Sequence, residues 1–356
     1  MTVASPVLAV RPATFRDLEA VAGLLRRVFG VDRSADALAW KFSGCVGRLT
    51  GSMVLTSDRD IVGFLGQVPT RIRVMGREIL AAQGADVSIL ETHRRLDSFM
   101  SLVTLSVREL RSAGVALSYG IANADATTVS LELFGRKRLS TVPLLVRPLR
   151  AAGAPLLGRG AGLITRALAA CADRGRFAVP GDFRLSPVGR FDDRFDLFWR
   201  RVRDDYPVML VRDAAYLNWR YVDTIGGGPY ESIVLRHAES GGVEGYAVLG
   251  LTRRGGRVRG RLCELVTPRH DAARATQALI GACVKRLHSQ GADTAEVWAL
   301  PHTHLRIALM RRGFIPRRTG GGGFQVSALA ADVDPDLVRA EDARQWFLSM
   351  GDSDTV

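Results

Sequence analysis

Lysine is nearly missing from this chain: of 49 basic residues only Lys41, Lys137 and Lys285 are lysines, which leaves 46 arginines. The formal net charge is nonetheless +13. So basic a balance ordinarily raises nucleic acid or a membrane surface as a partner. The arginines, however, are spread along the whole chain without a long basic block. Nucleic acid is therefore not the expected partner, and the excess reads as a coding bias that leaves some charge to attract a phosphate or an acidic substrate. Cysteine is scarce as well. Cys45, Cys171, Cys263 and Cys283 form no CxxC pair and stand at no metal-type spacing to the six histidines, which argues against a zinc site. They read as small buried apolar residues in a reducing compartment, the cytoplasm. Long apolar runs are absent too: none approaches the roughly 20 residues a bilayer needs. The first ten residues carry no basic segment and contain Pro6, so neither a signal peptide nor an anchor is expected. Gly158, Gly160 and Gly162 suggest a dinucleotide loop, but Leu163 stands where its third glycine belongs and no good strand precedes it.

What the chain has is length and pattern. Its 356 residues exceed one ordinary core and fit two domains of about 150 residues each. A composition of 47% hydrophobic and 24% charged residues is that of a globular protein. The most informative stretch runs from Asp86 to Gly135. A strand ending at Leu90 feeds the polar turn Glu91 to Arg95. Leu96, Phe99, Val103, Val107 and Leu110 then recur at helical spacing, and Gly114 ends the helix. A second strand, Val115 to Ile121, leads to Asn123 and a helix closing on Phe134 and Gly135. A strand whose turn opens a helix suits an anion, because the first helical N–H groups lack partners and the helix dipole favours negative charge there. Hairpin strands from Met53 to Leu90 precede this unit, and Val142 to Val146 is expected to close it. Mixed hairpins followed by a βαβ unit predict an α/β fold of the α+β layered kind rather than a doubly wound one.

The pattern then restarts. Leu38-Ala39-Trp40-Lys41-Phe42 is echoed by Leu217-Asn218-Trp219-Arg220-Tyr221, and Val62-Gly63-Phe64 by Glu244-Gly245-Tyr246. Glu91-Thr92-His93 is echoed by Pro268-Arg269-His270, and Gly114 and Gly135 by Gly291 and Gly313. Landmarks in one order at a nearly constant offset indicate a duplicated domain. The expected organisation is a first domain over 1–150, a linker with a helix over 151–190, a second and degenerate domain over 191–330, and a C-terminal helix and tail over 331–356.

With both copies in view, the chain resembles the tandem-GNAT N-acyltransferases, of the kind found with bacterial envelope polysaccharide biosynthesis. The residues that carry the likeness are the paired Leu-x-Trp motifs, Asn123 before its helix, Gly313-Phe314, and the tail from Trp346 to Asp354. The resemblance implies two tandem GNAT-like domains with mixed central sheets flanked by helices. It implies acetyl-CoA or another acyl-CoA as co-substrate, no metal, and direct transfer of the acyl group to a primary amine without a covalent enzyme intermediate. It further implies a splayed strand, Asp86 to Leu90, whose Ser88, Ile89 and Leu90 pair with pantetheine. The phosphate turn falls by likeness on Arg94, Arg95, Leu96, Asp97 and Ser98, and Asn123 completes the donor site. Asp97 replaces the glycine of the family's turn, and a carboxylate beside a pyrophosphate is repulsive. The second copy lacks that glycine as well, and Pro301-His302 stands in place of the asparagine. This copy is expected to shape the acceptor cleft or to brace the first.

Acyl transfer requires a thioester carbonyl held near a neutral amine and a route out for the amine's proton. Asp86 is the candidate base and Glu91 its rival. The tyrosine that GNAT enzymes often place after the asparagine has no counterpart between Ala124 and Gly135, and Tyr119 reads as core. Trp40 and Trp219 read as core anchors, and His302 and His304 as facing solvent rather than a metal. The expected acceptor is a small polar molecule or glycan precursor with a primary amine, an amino sugar among them. Fem-type transfer from aminoacyl-tRNA and a non-catalytic structural or regulatory role are the alternatives.

Overall fold

The computed structural model describes residues 8–122, 136–150, 179–317, 323–330, 332 and 334–353. Strand β1 (Leu8–Pro12) enters helix α1 (Leu18–Phe29) through a capping box in which Asp17 accepts the Thr14 N–H at 2.7 Å. Leu18, Val21, Ala22, Leu24 and Leu25 bury one stripe of α1, and Gly30, in the left-handed region at φ 67°, ends it. Ser34 caps helix α2 (Ala35–Ser43) by accepting the Ala37 N–H. An antiparallel meander follows: β2 (Met53–Ser57), β3 (Asp60–Val74) and β4 (Arg77–Ile89). Helix α3 (Leu96–Ser112) then crosses back to β5 (Leu117–Ala122), which lies parallel to β4. Two short strands, β6 (Lys137–Thr141) and β7 (Leu144–Pro148), end this half.

The second half repeats the order. It runs β8 (Phe183–Val188), α4 (Asp193–Val202), the short β9 (Val208–Leu210), α5 (Ala214–Tyr221), and the meander β10 (Tyr230–His237), β11 (Val243–Arg254), β12 (Arg257–Val266). Helix α6 (Ala273–Ser289), β13 (Thr294–Trp298), α7 (His304–Arg311), β14 (Ile315–Pro316) and β15 (Gly323–Ala328) complete it. Helices α3 and α6 begin 177 positions apart, at Leu96 and Ala273, as do strands β5 and β13, at Leu117 and Thr294.

The first sheet has the order β1-β2-β3-β4-β5-β15-β6, with β9 on the far end of β3, and the second β8-β10-β11-β12-β13-β7-β14. By position within each copy the two orders are the same, and the last strand of each copy is exchanged. Strand β7 is inserted between β13 and β14, and β15 between β5 and β6. The expectation that 142–146 closes the first sheet is corrected: β7 pairs with β13, and its Leu145 and Val146 are fully buried there. A short apolar strand carries the same alternation whichever sheet receives it, so the exchange leaves no local trace.

The echoed motifs meet in space. The rings of Trp40 and Trp219 stack at 5.3 Å. Trp40 Nε1 donates to the Trp219 carbonyl at 3.1 Å, and Trp219 Nε1 to the Trp40 carbonyl at 3.4 Å. A reciprocal contact of this kind is what an approximate two-fold relation between copies requires. The two indoles are thus half-buried anchors at the junction of the copies.

The tail also departs from the C-terminal helix expected within 331–356. It forms three short helical turns, Asp336–Arg339, Ala343–Gln345 and Met350–Asp352, and the chain is extended and buried from Trp346 to Leu348. Trp346 packs against Phe324 and Tyr119 of the first sheet, with ring centroids 4.8 and 6.3 Å away. Beyond it Arg212 binds Asp352 at 2.6 Å, and Arg220 donates to the Ser353 carbonyl at 2.8 Å, so the tail is strapped across both copies. A Cβ at Gly351 would overlap the Tyr221 hydroxyl and Glu264 Oε1. Gly351→Ala is therefore expected to lower stability by about 1–3 kcal/mol, read as a lower urea midpoint with the slope unchanged.

Candidate functional site

Strands β4 and β5 are paired only from Ala81↔Leu117 to Gln83↔Tyr119, and beyond that rung they run on without pairing to Ile89 and Ala122. The cause lies in β4. Gly66 faces Ala85 and Phe64 faces Ser88, so Asp86 and Val87 are bulged opposite Leu65. Asp86 takes φ 50°, in the left-handed region that aspartate enters more readily than most residues with a side chain. Such a bulge bends its strand away from the neighbour. Between the diverging strands and α3 opens a cavity of about 560 Å³, with Leu25, Phe29, Val87, Phe99, Val103 and Val107 among its apolar walls. Its polar lining includes Gln67, Ser106, Ser118 and Arg136. Gln67 Nε2 donates to Ser106 Oγ at 3.1 Å, while Gln67 Oε1 is buried without a partner among the described residues.

A second cavity, of about 360 Å³, lies where the copies meet and is lined by Trp40, Trp219, Tyr119, Tyr216, Tyr230 and Arg220, among others. Tyr119 is fully buried, as expected of a core residue, and burial raises its pKa. Arg33 borders both cavities, Asp86 the first and Lys41 the second, so these three side chains form part of the wall between them. Arg33 Nη1 and Lys41 Nζ both donate to Asp86 Oδ2, at 2.5 and 2.7 Å. Asp86 Oδ1 has no protein partner among the described residues. The carboxylate is thus held by one oxygen and free at the other, with 12% of the side chain exposed.

The turn before α3 is arranged differently. Asp97 accepts the Ser98 N–H at 2.8 Å and pairs with Arg95 at 3.3 Å, so the chain's own carboxylate takes one of the amides that an anion would use. Arg94 Nε donates to the Ile89 carbonyl at 3.1 Å, and Leu96 is exposed. Ser88 and Ile89 pair with β3, and Leu90 N–H donates to the Val62 carbonyl at 2.8 Å. Glu91 is exposed on the turn and borders neither cavity. Of the residues expected to hold the donor or act on it, Asp86 alone borders a described cavity; Asn123 lies outside the described residues. Sequence reasoning missed Arg33, Lys41, Gln67 and Arg136 as site residues. Lys41 was findable, since it falls inside the echoed motif opposite Arg220.

In the second copy the β12–β13 ladder also stops early, at Leu262↔Val297. Here polar side chains bridge the neighbourhood. His304 Nε2 meets Thr267 Oγ1 at 3.1 Å, Thr267 Oγ1 meets Thr276 Oγ1 at 2.7 Å, and His304 Nδ1 meets the Tyr206 hydroxyl at 3.0 Å. His302 Nε2 lies 2.9 Å from the Trp346 carbonyl. Both histidines are therefore half-buried and hydrogen-bonded, which corrects the expectation that they face solvent. Burial lowers the His304 pKa to about 4, and Arg269 and His270 push the same way. The unfolded imidazole protonates near its ordinary 6.5, so between that value and about 4 the unfolded chain binds more protons. Stability is expected to fall as pH drops through this window. His304→Gln should flatten that limb of a plot of melting temperature against pH.

Cys263 and Cys283 are buried, and burial pushes the Cys263 thiol up to about 12 and that of Cys283 further, which leaves neither a nucleophile. Cys171 and the side chain of Cys45 lie outside the described residues, as does the 158–162 glycine run. No group of His, Cys, Asp and Glu among the described residues is arranged to hold a metal ion, and no helix among them is long and apolar enough to cross a membrane.

Residues 9–130 match the family described as Acetyltransferase (GNAT) domain. No curated protein matches the sequence. Among solved structures the chain is similar to a probable N-acyltransferase of Enterococcus faecalis, at 13% identity over 91% of this chain and 72% of that one, with a TM-score of 0.63. It is similar to a GCN5-related N-acetyltransferase of Anabaena variabilis, at 13% identity over 91% and 74%, TM-score 0.62. It is also similar to the N-myristoyltransferase of Saccharomyces cerevisiae, solved with bound myristoyl-CoA and inhibitors, at 13% identity over 92% and 80%, TM-score 0.62. Residues 9–130 thus resemble a GNAT acetyltransferase domain, and the chain as a whole has an α/β fold of two mixed, helix-flanked sheets similar to that of these structures.

Proposed function

We propose that the protein is an N-acyltransferase that takes an acyl group from acyl-CoA and delivers it to a primary amine. One observation carries this reading: the ladder between β4 and β5 ends at Gln83↔Tyr119, and a cavity opens where it ends. A thioester arm laid there meets backbone groups that β5 does not use, and a backbone N–H at that edge polarises the carbonyl. The fit is poorer at the turn, where a pyrophosphate has to displace Asp97 from the Ser98 amide or rest on Arg94 and Arg95.

The amine enters from the junction cavity, whose aromatic walls and cations suit a polar acceptor such as an amino sugar or another glycan precursor. Its nitrogen attacks the thioester carbon; the C–N bond forms, the C–S bond breaks, and the thiolate leaves with CoA. Asp86 Oδ1 takes the amine proton, directly or through water, while Arg33 and Lys41 on Oδ2 hold the carboxylate in place. Glu91 is kept as the rival base. The second copy contributes the far wall of the junction cavity through Tyr216, Trp219 and Tyr230.

Release of free CoA thiol from acyl-CoA, followed across a panel of amines that includes amino sugars, tests this function. Turnover with at least one amine is expected. Tight acyl-CoA binding without turnover on any amine would instead favour a non-catalytic role.

A further inference from the structure

Two arginines border the cavity between β4 and β5. Arg33 is paired with Asp86, whereas Arg136 is paired with no acid among the described residues. Arg136 Nη2 donates to Ser118 Oγ at 2.8 Å, and that is its one hydrogen bond to a described residue. The guanidinium lies against two glycines just past the last rung of the ladder. A Cβ at Gly120 would stand 3.4 Å from Nη1, and one at Gly84 would stand 3.7 Å from Nη2. Glycine at both positions keeps open the space that the guanidinium uses. The side chain is half-buried, because the cavity itself exposes it, yet enough protein surrounds it for desolvation to lower its pKa. A guanidinium carries five N–H donors, and most of these have no acceptor among the described residues. A cation drawn into a poorly solvated place without a counter-charge is a strong call for an anion.

The position of Arg136 says which part of a donor meets it. From Gly84 to Leu90 the strand advances about 20 Å, at about 3.3 Å per residue. The turn that faces the coenzyme's phosphates lies beyond Leu90, and Gly84 lies at the apex where the strands diverge. A pantetheine arm running between them brings its acyl end, not its phosphates, to Arg136. An acetyl group offers no charge at that point.

We propose that the acyl group this protein transfers ends in a carboxylate, which Arg136 binds at the apex, so that the donor is the CoA thioester of a short dicarboxylic acid. This rests on the acyl-CoA reading above. The amine attacks the thioester carbonyl, the C–N bond forms as C–S breaks, CoA leaves as its thiolate, and the amine proton passes to Asp86. The distal carboxylate is unchanged, and the product is an amide that bears a free carboxylate.

Calorimetric titration of the full-length protein with succinyl-CoA, acetyl-CoA and free CoA tests this, beside the variants Arg136→Gln and Arg136→Lys. Succinyl-CoA is expected to bind at least about tenfold more tightly than acetyl-CoA, a difference of about 1.4 kcal/mol. Arg136→Gln should erase the preference by bringing the two affinities together, and Arg136→Lys should retain part of it, as a point charge without the planar fork. Equal affinities in the wild type, or an unchanged preference in Arg136→Gln, would overturn the proposal and leave the acyl-CoA reading standing. Failure of all three ligands to bind would overturn both. The wild-type ratio needs no variant, so a folding defect in Arg136→Gln does not shelter the proposal.

Discussion

Replacing Arg212 with methionine is expected to lower stability by about 3–5 kcal/mol, the range for removing one partner of a buried ion pair. Arg212 is 1% exposed. Its Nε donates to Glu264 Oε2 at 3.0 Å and its Nη2 to Asp352 Oδ1 at 2.6 Å and Ser349 Oγ at 3.0 Å, while Nη1 reaches the Leu210 carbonyl at 2.9 Å. Both carboxylates are as deeply buried as the arginine, and burial already raises the Glu264 pKa. Without Arg212 they face one another uncompensated. Arg212→Met/Glu264→Gln should recover part of the loss, because one of the two stranded charges is then removed, and the difference from additivity measures the coupling. Urea unfolding reads it; a loss below about 1 kcal/mol would mean that the network relaxes to admit water. The consequence reaches the site, since Gly351 and Ser353 of the tail that Arg212 anchors border the junction cavity.

Asp86→Asn should lower turnover by about 10²–10⁴-fold, the usual contribution of a positioned base, with acyl-CoA affinity retained. Asparagine enters the left-handed region as aspartate does, so the bulge at φ 50° is kept and the folded state changes little. What is lost is the proton-accepting Oδ1 and the counter-charge to Arg33 and Lys41. Turnover within about threefold of wild type would move the proton elsewhere, and Glu91→Gln would then be the informative variant.

Several of these features could be read before any coordinates. The repeat of Leu38 to Phe42 in Leu217 to Tyr221 announces two copies, and the strand, turn, helix and strand from Asp86 to Ile121 stand where periodicity places them. That Trp40 and Trp219 would stack on one another was not legible, because a repeat fixes equivalence and not contact. The exchange of β7 and β15 was hidden for the reason that any short apolar strand satisfies either sheet. His304 carries no local signal, since its partners Tyr206 and Thr267 come from distant segments. Arg136 was concealed by composition: among 46 arginines, the one that borders the cavity between β4 and β5 with no acidic partner among the described residues is visible only in three dimensions.

The most direct measurement is calorimetric binding of acyl-CoA to the wild type and to Val103→Trp, which places an indole from α3 into the cavity between β4 and β5. The wild type should bind, and the variant should melt near the wild-type temperature yet bind at least about 100-fold more weakly, a difference of about 2.7 kcal/mol. Absence of binding to the wild type, or equal affinity in Val103→Trp, would contradict the assignment of that cavity to the donor.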